Sequence, residues 1–176
     1  RNVPMSPTLF QEQLQSKKFT GKGDKAEVEK MYWQNFETSL KKNPRVEFEQ
    51  VVWDVSKARQ LGDALSHYQD LEQFWIWGGR SGARFDDECL GELMRRARFE
   101  EKTSLHYVMI RQTSIQNLDP LAALVKQNNS LKYLQLHDNR IACVESFCQA
   151  LAANKSLQEL LLRGNCLSDA SKAALQ

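Results

Sequence analysis

Residues 131–139 read LKYLQLHDN and residues 157–165 read LQELLLRGN. Laid over one another, Leu131, Leu134, Leu136 and Asn139 coincide with Leu157, Leu160, Leu162 and Asn165, each pair 26 residues apart. One more step toward the N-terminus reaches LHYVMIRQT, residues 105–113. There Leu105, Val108 and Ile110 take the apolar places and Thr113 the asparagine place. The match continues between these stretches, at Ile115, Ile141 and Leu167, at Leu121 and Phe147, at Val125 and Leu151, at Asn128 and Asn154, and at Ser130 and Ser156. A fixed period of this length is the mark of a stacked repeat.

Each unit has a physical reading. The L-x-x-L-x-L segment is a short strand whose alternate residues face inward. An asparagine at its end both donates and accepts, so it serves the backbone where the chain turns away. A helix follows, because Val144, Phe147, Cys148 and Leu151 recur at helical steps, as do Leu118, Leu121, Leu124 and Val125. Pro120 lies near the start of the earlier helix, where its missing N–H costs little. Two looser units lie upstream. Leu71, Phe74 and Ile76 form one, with Gly79 at the asparagine place, and Phe48, Val51 and Trp53 form the other. One strand and one helix cannot bury their apolar faces alone, whereas stacked units can. The expected fold is therefore an α/β solenoid, with about five parallel strands on the concave face and helices on the convex face.

The pattern resembles the ribonuclease-inhibitor-like leucine-rich repeats, over roughly Phe48 to Gln176. Within that group, FETSLKKNPRVEFEQVVWD (36–54) and KQNNSLKYLQLHDNRI (126–141) are similar to the repeat domains of tropomodulins and leiomodins. The resemblance implies a solenoid of strand–helix units and, at its most specific, an actin-regulating module. No stretch matches the actin- and tropomyosin-binding N-terminal regions of those proteins.

Three parts are expected: an extended N-terminal tail at 1–23, a capping helix at 24–44, and the leucine-rich-repeat domain at 45–176. In the cap, Asp24 stands at the N-cap position, and Val28, Tyr32, Phe36 and Leu40 form the apolar stripe before Asn43 and Pro44 end the helix. The tail carries few apolar side chains and needs something to hold it, either the solenoid or a partner. Leu71 and Leu105 are 34 residues apart rather than 26. The surplus is assigned to the glycine-rich stretch 78–84, GGRSGAR, a loop that presents Arg80 and Arg84 as candidate contacts.

The strand register predicts which side chains the concave face displays. One column holds Val52, Trp75, Met109, Gln135 and Leu161. A second holds Asp54, Trp77, Arg111, His137 and Arg163, and a third Gln50, Gln73, Tyr107, Tyr133 and Glu159. With Phe74 and Ile76 turned inward, Trp75 and Trp77 have no core to enter. Large aromatic, methionine and arginine side chains are the types enriched at interface centres. The candidate partner-binding residues are therefore Trp75, Trp77, Tyr107, Met109, Arg111, Tyr133, His137 and Arg163. A competing expectation is that the N-terminal tail itself covers this face.

Composition narrows the classes. Of 176 residues 41% are apolar and 26% charged, with a net charge of +2, which gives no basic surplus pointing to nucleic acid. No apolar run approaches the roughly 20 residues that span a bilayer. Cys89, Cys143, Cys148 and Cys166 form no C-x-x-C pair, and the expectation is buried thiols in a reducing compartment, cytoplasmic, cytoskeletal or organellar, with a leader removed before Arg1 as one origin of the N-terminus. No nucleophile, phosphate-loop or metal-ligand motif appears, so neither cofactor nor metal is expected. One enzymatic class shares the repeat type, the GTPase-activating proteins of the Ran system. Arg80, Arg84, Arg140 and Arg163 sit in broadly similar places, but none fits that family's motif. The expectation is a non-catalytic module that binds one or more proteins as a scaffold or subunit of a hetero-complex.

Overall fold

A computed structural model describes residues 3–40, 42–79, 85–142 and 144–175, with residues 39 and 40 in backbone only. Five parallel strands form one sheet in chain order: β1 (Arg45–Glu49), β2 (Gln73–Trp77), β3 (Tyr107–Arg111), β4 (Tyr133–Gln135) and β5 (Glu159–Leu161). Each strand is followed by a helix: α3 (Val55–Leu65), α4 (Asp87–Ala97), α5 (Asp119–Gln127), α6 (Glu145–Ala153) and α7 (Asp169–Ala174). Two helices precede the sheet, α1 (Pro7–Gln15) and α2 (Asp24–Asn35). The repeat solenoid expected from the 26-residue period is thus the fold.

The inward face of the sheet closes the core. Phe74, Ile76, Val108, Ile110, Leu134 and Leu136 are fully buried, facing Leu61, Leu65, Leu90, Leu93, Leu121, Leu124 and Phe147 of the helices. Side-chain caps define several helix starts. Asp54 accepts from the Lys57 N–H at 2.7 Å, Asp86 from the Cys89 N–H at 3.1 Å and Ser6 from the Leu9 N–H at 3.2 Å.

Two side-chain ladders join repeat to repeat. In the first, Asn139 donates from Nδ2 to the carbonyls of Ile110 and Leu136 and accepts from the Thr113 N–H and hydroxyl. Asn165 repeats this one unit on, donating to Leu136 and Leu162. In the second, Asn128 donates to the carbonyls of Phe99 and Lys102, and Asn154 to those of Val125 and Asn128. Lys102 occupies the same place one repeat earlier. Its Nζ reaches the Leu65 and Tyr68 carbonyls at 2.8 and 2.7 Å, and the residue is 3% exposed. The lysine replaces the donating half of the asparagine only, since an ammonium cannot accept.

Several expectations need correction. The first strand is Arg45–Glu49, not the Phe48–Trp53 segment. Its register pairs Val46 with Phe74 and Phe48 with Ile76. Val51 and Trp53 are buried as expected, but they belong to the loop after the strand, which dips into the core and sets the Trp53 ring edge-on to Phe85 at 5.2 Å. Gln50, Val52 and Asp54 therefore leave the concave columns, and Arg45, Glu47 and Glu49 take their places.

The capping segment is not one helix. Helix α2 ends at Asn35 and the chain continues as a π-helical turn, Phe36–Leu40. Asp24 is the first helical residue rather than the cap, and its carboxylate instead accepts from the Gly21 N–H at 2.8 Å. Of the expected stripe Phe36 is fully buried, Tyr32 half-buried and Val28 exposed. The tail is not wholly extended, since Pro7–Gln15 is helical.

The surplus in the second unit is also distributed. The β2–α4 connection is two residues longer than β3–α5, α4 is two longer than α5, and the α4–β3 connection is four longer than α5–β4. The last of these holds the 3₁₀ turn Phe99–Glu101, which inserts Phe99 beneath Phe74 with ring centroids 4.9 Å apart. Gly78 is required where it stands. A Cβ there would lie 2.0 Å from the Gln112 carbonyl oxygen, on backbone that cannot yield. Arg80, Arg84 and Cys143 lie outside the described residues. Cys89 is buried and Cys148 half-buried, but Cys166 is exposed, contrary to the expectation for the thiols.

Candidate functional site

The sheet brings the concave side chains into rows by its pairing. Trp75 stands opposite Glu47 on one side and Met109 on the other, and Met109 opposite Gln135. Tyr107 stands between Gln73 and Tyr133. Period-2 alternation places all of these on the surface opposite the core. Neither tryptophan enters the interior, and both are half-buried among their concave neighbours.

The aromatic groups form a continuous array. The Trp75 ring meets Tyr107 edge-on at 5.2 Å, and Tyr107 meets Tyr133 edge-on at 5.9 Å. Such T-shaped contacts match the positive edge of one ring to the negative face of the next. Two guanidinium groups extend the array. Arg45 Cζ lies 3.6 Å from the Trp75 ring centre, and Arg111 Cζ lies 4.2 Å from that of Trp77. The Trp77 indole N–H donates to the Gln112 side chain. Arg45 escapes sequence reasoning because the first strand is read in the wrong register. The signal was there in RVEFE (45–49), whose alternation of charged and apolar residues fits a half-buried strand better than EFEQVVWD does.

Not every predicted residue is equally available. Tyr133 is 37% exposed and Arg163 is exposed. Trp75, Trp77, Tyr107, Arg111 and His137 are half-buried. Met109 lies on the concave side but is only 6% exposed, set between Trp75 and Gln135. It is a floor for the surface rather than a contact. His137 Nδ1 lies 2.9 Å from the Asp138 carboxylate, which fixes its ring. Burial, and secondarily the Glu159 carboxylate, raises the Tyr107 phenol above its ordinary value. Trp75 Nε1 and Arg111 Nε are buried polar atoms without a hydrogen-bond partner among the described residues.

From Val3 onward, the described N-terminal segment does not cover this surface. The carbonyls of Val3 and Pro4 accept from Gln60 of α3, and the Met5 carbonyl from the Tyr32 hydroxyl at 2.8 Å. Phe10 stacks on Tyr32 at 3.7 Å. The segment is thus held on the helix side of the first repeat. Both signs of charge occur along the concave face, with Arg45, Glu47 and Glu49 on β1, Arg111 on β3, Glu159 on β5 and Arg163 just beyond it. Among the described residues no cluster of His, Cys, Asp and Glu has the geometry of a metal site, and no helix is long and apolar enough to cross a membrane.

No family model matches the chain, and no curated protein matches its sequence. Similarity lies in structure. The actin-binding site 2 domain of leiomodin-1 superposes with a TM-score of 0.61 at 13% identity, over 81% of this chain and 82% of that one. The C-terminal domain of Caenorhabditis elegans tropomodulin gives a TM-score of 0.57 at 18% identity, over 81% and 83%. An internalin of Listeria monocytogenes gives 0.45 at 16%, over 74% and 37%. The chain is a leucine-rich-repeat solenoid that resembles the tropomodulin and leiomodin repeat domains in fold.

Proposed function

We propose that this protein is a non-catalytic protein-interaction module that holds its partner on the concave face, as a scaffold or subunit of a larger assembly. One observation carries the reading. Trp75, Tyr107 and Tyr133 form an unbroken aromatic array on the side of the sheet opposite the core, with Arg45 and Arg111 stacked at the two tryptophans. Core packing does not require these residues, and their types are those that dominate binding energy when a partner desolvates them.

Photo-crosslinking tests it. A benzoylphenylalanine placed at Tyr133 should link to the partner, whereas one at Gln149 on the outer helix α6 should not. Trp75→Ala and Trp77→Ala should each weaken binding by roughly 2 kcal/mol or more with the far-ultraviolet spectrum unchanged. Crosslinks confined to the helical side would overturn the proposal.

A second, narrower reading is an actin-regulating module. It is favoured by the likeness over most of both chains to a domain described as an actin-binding site of leiomodin-1. Co-sedimentation with actin filaments and inhibition of pyrene-actin assembly test it directly. Absence of both effects removes this reading and leaves the broader one standing.

A further inference from the structure

The first strand has a free edge. The Gln73 N–H donates to the Pro44 carbonyl and the Gln50 N–H donates to the Trp77 carbonyl. In a parallel pair, residues that bond one neighbour alternate with residues that point away from it. Val46 and Phe48 therefore bond β2, and the backbone groups of Arg45, Glu47 and Glu49 point outward. The Arg45 N–H is taken by the Asn43 side chain at 3.0 Å. Among the described residues nothing pairs with the outward N–H and C=O of Glu47 or the N–H of Glu49.

A groove runs beside that edge. A cavity of about 640 Å³ separates β1 from the N-terminal segment, with Val3, Met5, Tyr32, Val46, Phe48 and Tyr68 among its walls. A second cavity, of about 470 Å³, continues past Gln50 to Val52, sharing Val3 and Met5 as a wall. Val52 stands there 73% exposed. The concave side of the same edge is net acidic, with the Glu47 and Glu49 carboxylates against the one guanidinium of Arg45. Glu47 leans on Arg45 at 2.6 Å, while Glu49 is exposed and without an ion-pair partner among the described residues.

We infer that this edge takes up an extended peptide segment of alternating apolar and basic residues, which adds a sixth strand beside β1. The backbone of such a segment satisfies the outward groups of Glu47 and Glu49. One set of its side chains fills the groove and the other lies beside the two carboxylates, because side chains alternate across a strand. A second copy of this chain is a poorer occupant. The side chains of its β1 that would have to fill the groove are Val46 and Phe48, already buried in its own core. The proposal does not rest on the concave aromatic array, although Arg45 borders both.

The probe is a short fluorescein-labelled peptide alternating lysine and valine, read by anisotropy against the full chain. It should bind, and a valine–glutamate peptide should not. Glu47→Pro removes one outward N–H while sparing the β1–β2 bonds, a substitution that an edge strand tolerates. It should bind about tenfold more weakly than Glu47→Ala, which keeps the N–H and loses the same charge. Glu49→Lys should weaken binding by a similar factor, and Gln149→Ala on the outer helix α6 should leave it unchanged. Should the proline variant fail to fold, backbone-methylated probes replace it. Methylation at the valines blocks parallel pairing and methylation at the lysines blocks antiparallel pairing, so one of the two should lose binding. Equal binding of both methylated probes, equal binding by the proline and alanine variants, tight binding of the valine–glutamate peptide, or a β1-dependent dimer in sedimentation would each overturn the inference.

Discussion

The two ends of the solenoid hold together by different means. From β3 onward the interior is mainly aliphatic, with Val108, Ile110, Leu121, Leu124, Leu134 and Leu136 fully buried beside Phe147, and asparagines join the repeats. Around β1 and β2 the interior is aromatic. Phe36 packs edge-on to Tyr68 at 5.9 Å, Phe48 lies 5.7 Å from Trp53, Trp53 meets Phe85, and Phe74 meets Phe99. The ladder residue there is Lys102 instead of an asparagine. The difference teaches that the stacking geometry tolerates large changes in filling. Longer connections around α4 make room for bigger rings, and a longer cation replaces a short amide.

The largest effect is expected where the aromatic end is emptied. Trp53→Ala removes the ring between Phe48 and Phe85 from a position only 4% exposed. Chemical denaturation should show a loss of about 3–5 kcal/mol. A smaller loss would mean that the loop after β1 collapses into the space. Next comes the amide ladder. Asn139→Ala strips partners from the Thr113 N–H and from the Ile110 and Leu136 carbonyls, all in a buried setting. A loss of about 3 kcal/mol is expected. Asn165→Ala, at a half-exposed place where water can substitute, should cost about 1 kcal/mol. Equal losses would show that the ladder acts as one cooperative unit.

The same contrast explains what could be read beforehand. The strands β2 to β5 and the three columns beyond β1 are legible because Leu, Ile and Val alternate at period 2 and recur at period 26. The β1 register is not, because Val51 and Trp53 are apolar, correctly spaced and truly buried, yet in a loop. Burial pattern alone cannot tell a strand from a loop that dips into a core. Helix α1 is illegible for the opposite reason, since PTLFQEQLQ buries little beyond Pro7 and Leu14. Of the candidate surface, the aromatic positions were legible and their mutual stacking was not, since rotamers are settled only by neighbours. The ladder role of Lys102 was hidden because a charged residue at a 26-residue offset from Asn128 reads as surface.

Lys102 also separates the two ends by pH. Burial pushes its ammonium down from 10.5 to about 8. In the unfolded chain the group keeps its ordinary value, so between about pH 8 and 10.5 the unfolded state binds more protons. Stability contributed by this site should therefore rise with pH across that window, by up to about 3 kcal/mol, and be flat below it. The two carbonyls that Nζ meets favour the ammonium and oppose part of that shift. Denaturation of Lys102→Gln should lack the rise. A wild-type profile parallel to that of the variant would show that the carbonyls fully compensate for burial.

The turn that follows each strand supplies effects that fall from about 2 to about 0.5 kcal/mol. Gln112, Asp138 and Gly164 stand at successive 26-residue offsets, and all three have positive φ, at 52°, 57° and 72°. Only the last is glycine, the residue that takes this conformation without steric cost. Gly164→Ala should destabilise by about 1–2 kcal/mol, since its Cβ would meet the Asp138 carboxylate at 2.2 Å as well as straining the backbone. Asp138→Gly should do the reverse. It relieves the left-handed strain and gives up only an exposed contact with His137, worth little in water. The glycine also loosens the unfolded chain, so the net gain should be about 0.5 kcal/mol. A loss instead of a gain would mean that the Asp138 carboxylate, by orienting the His137 ring, stabilises the turn more than its backbone strain costs.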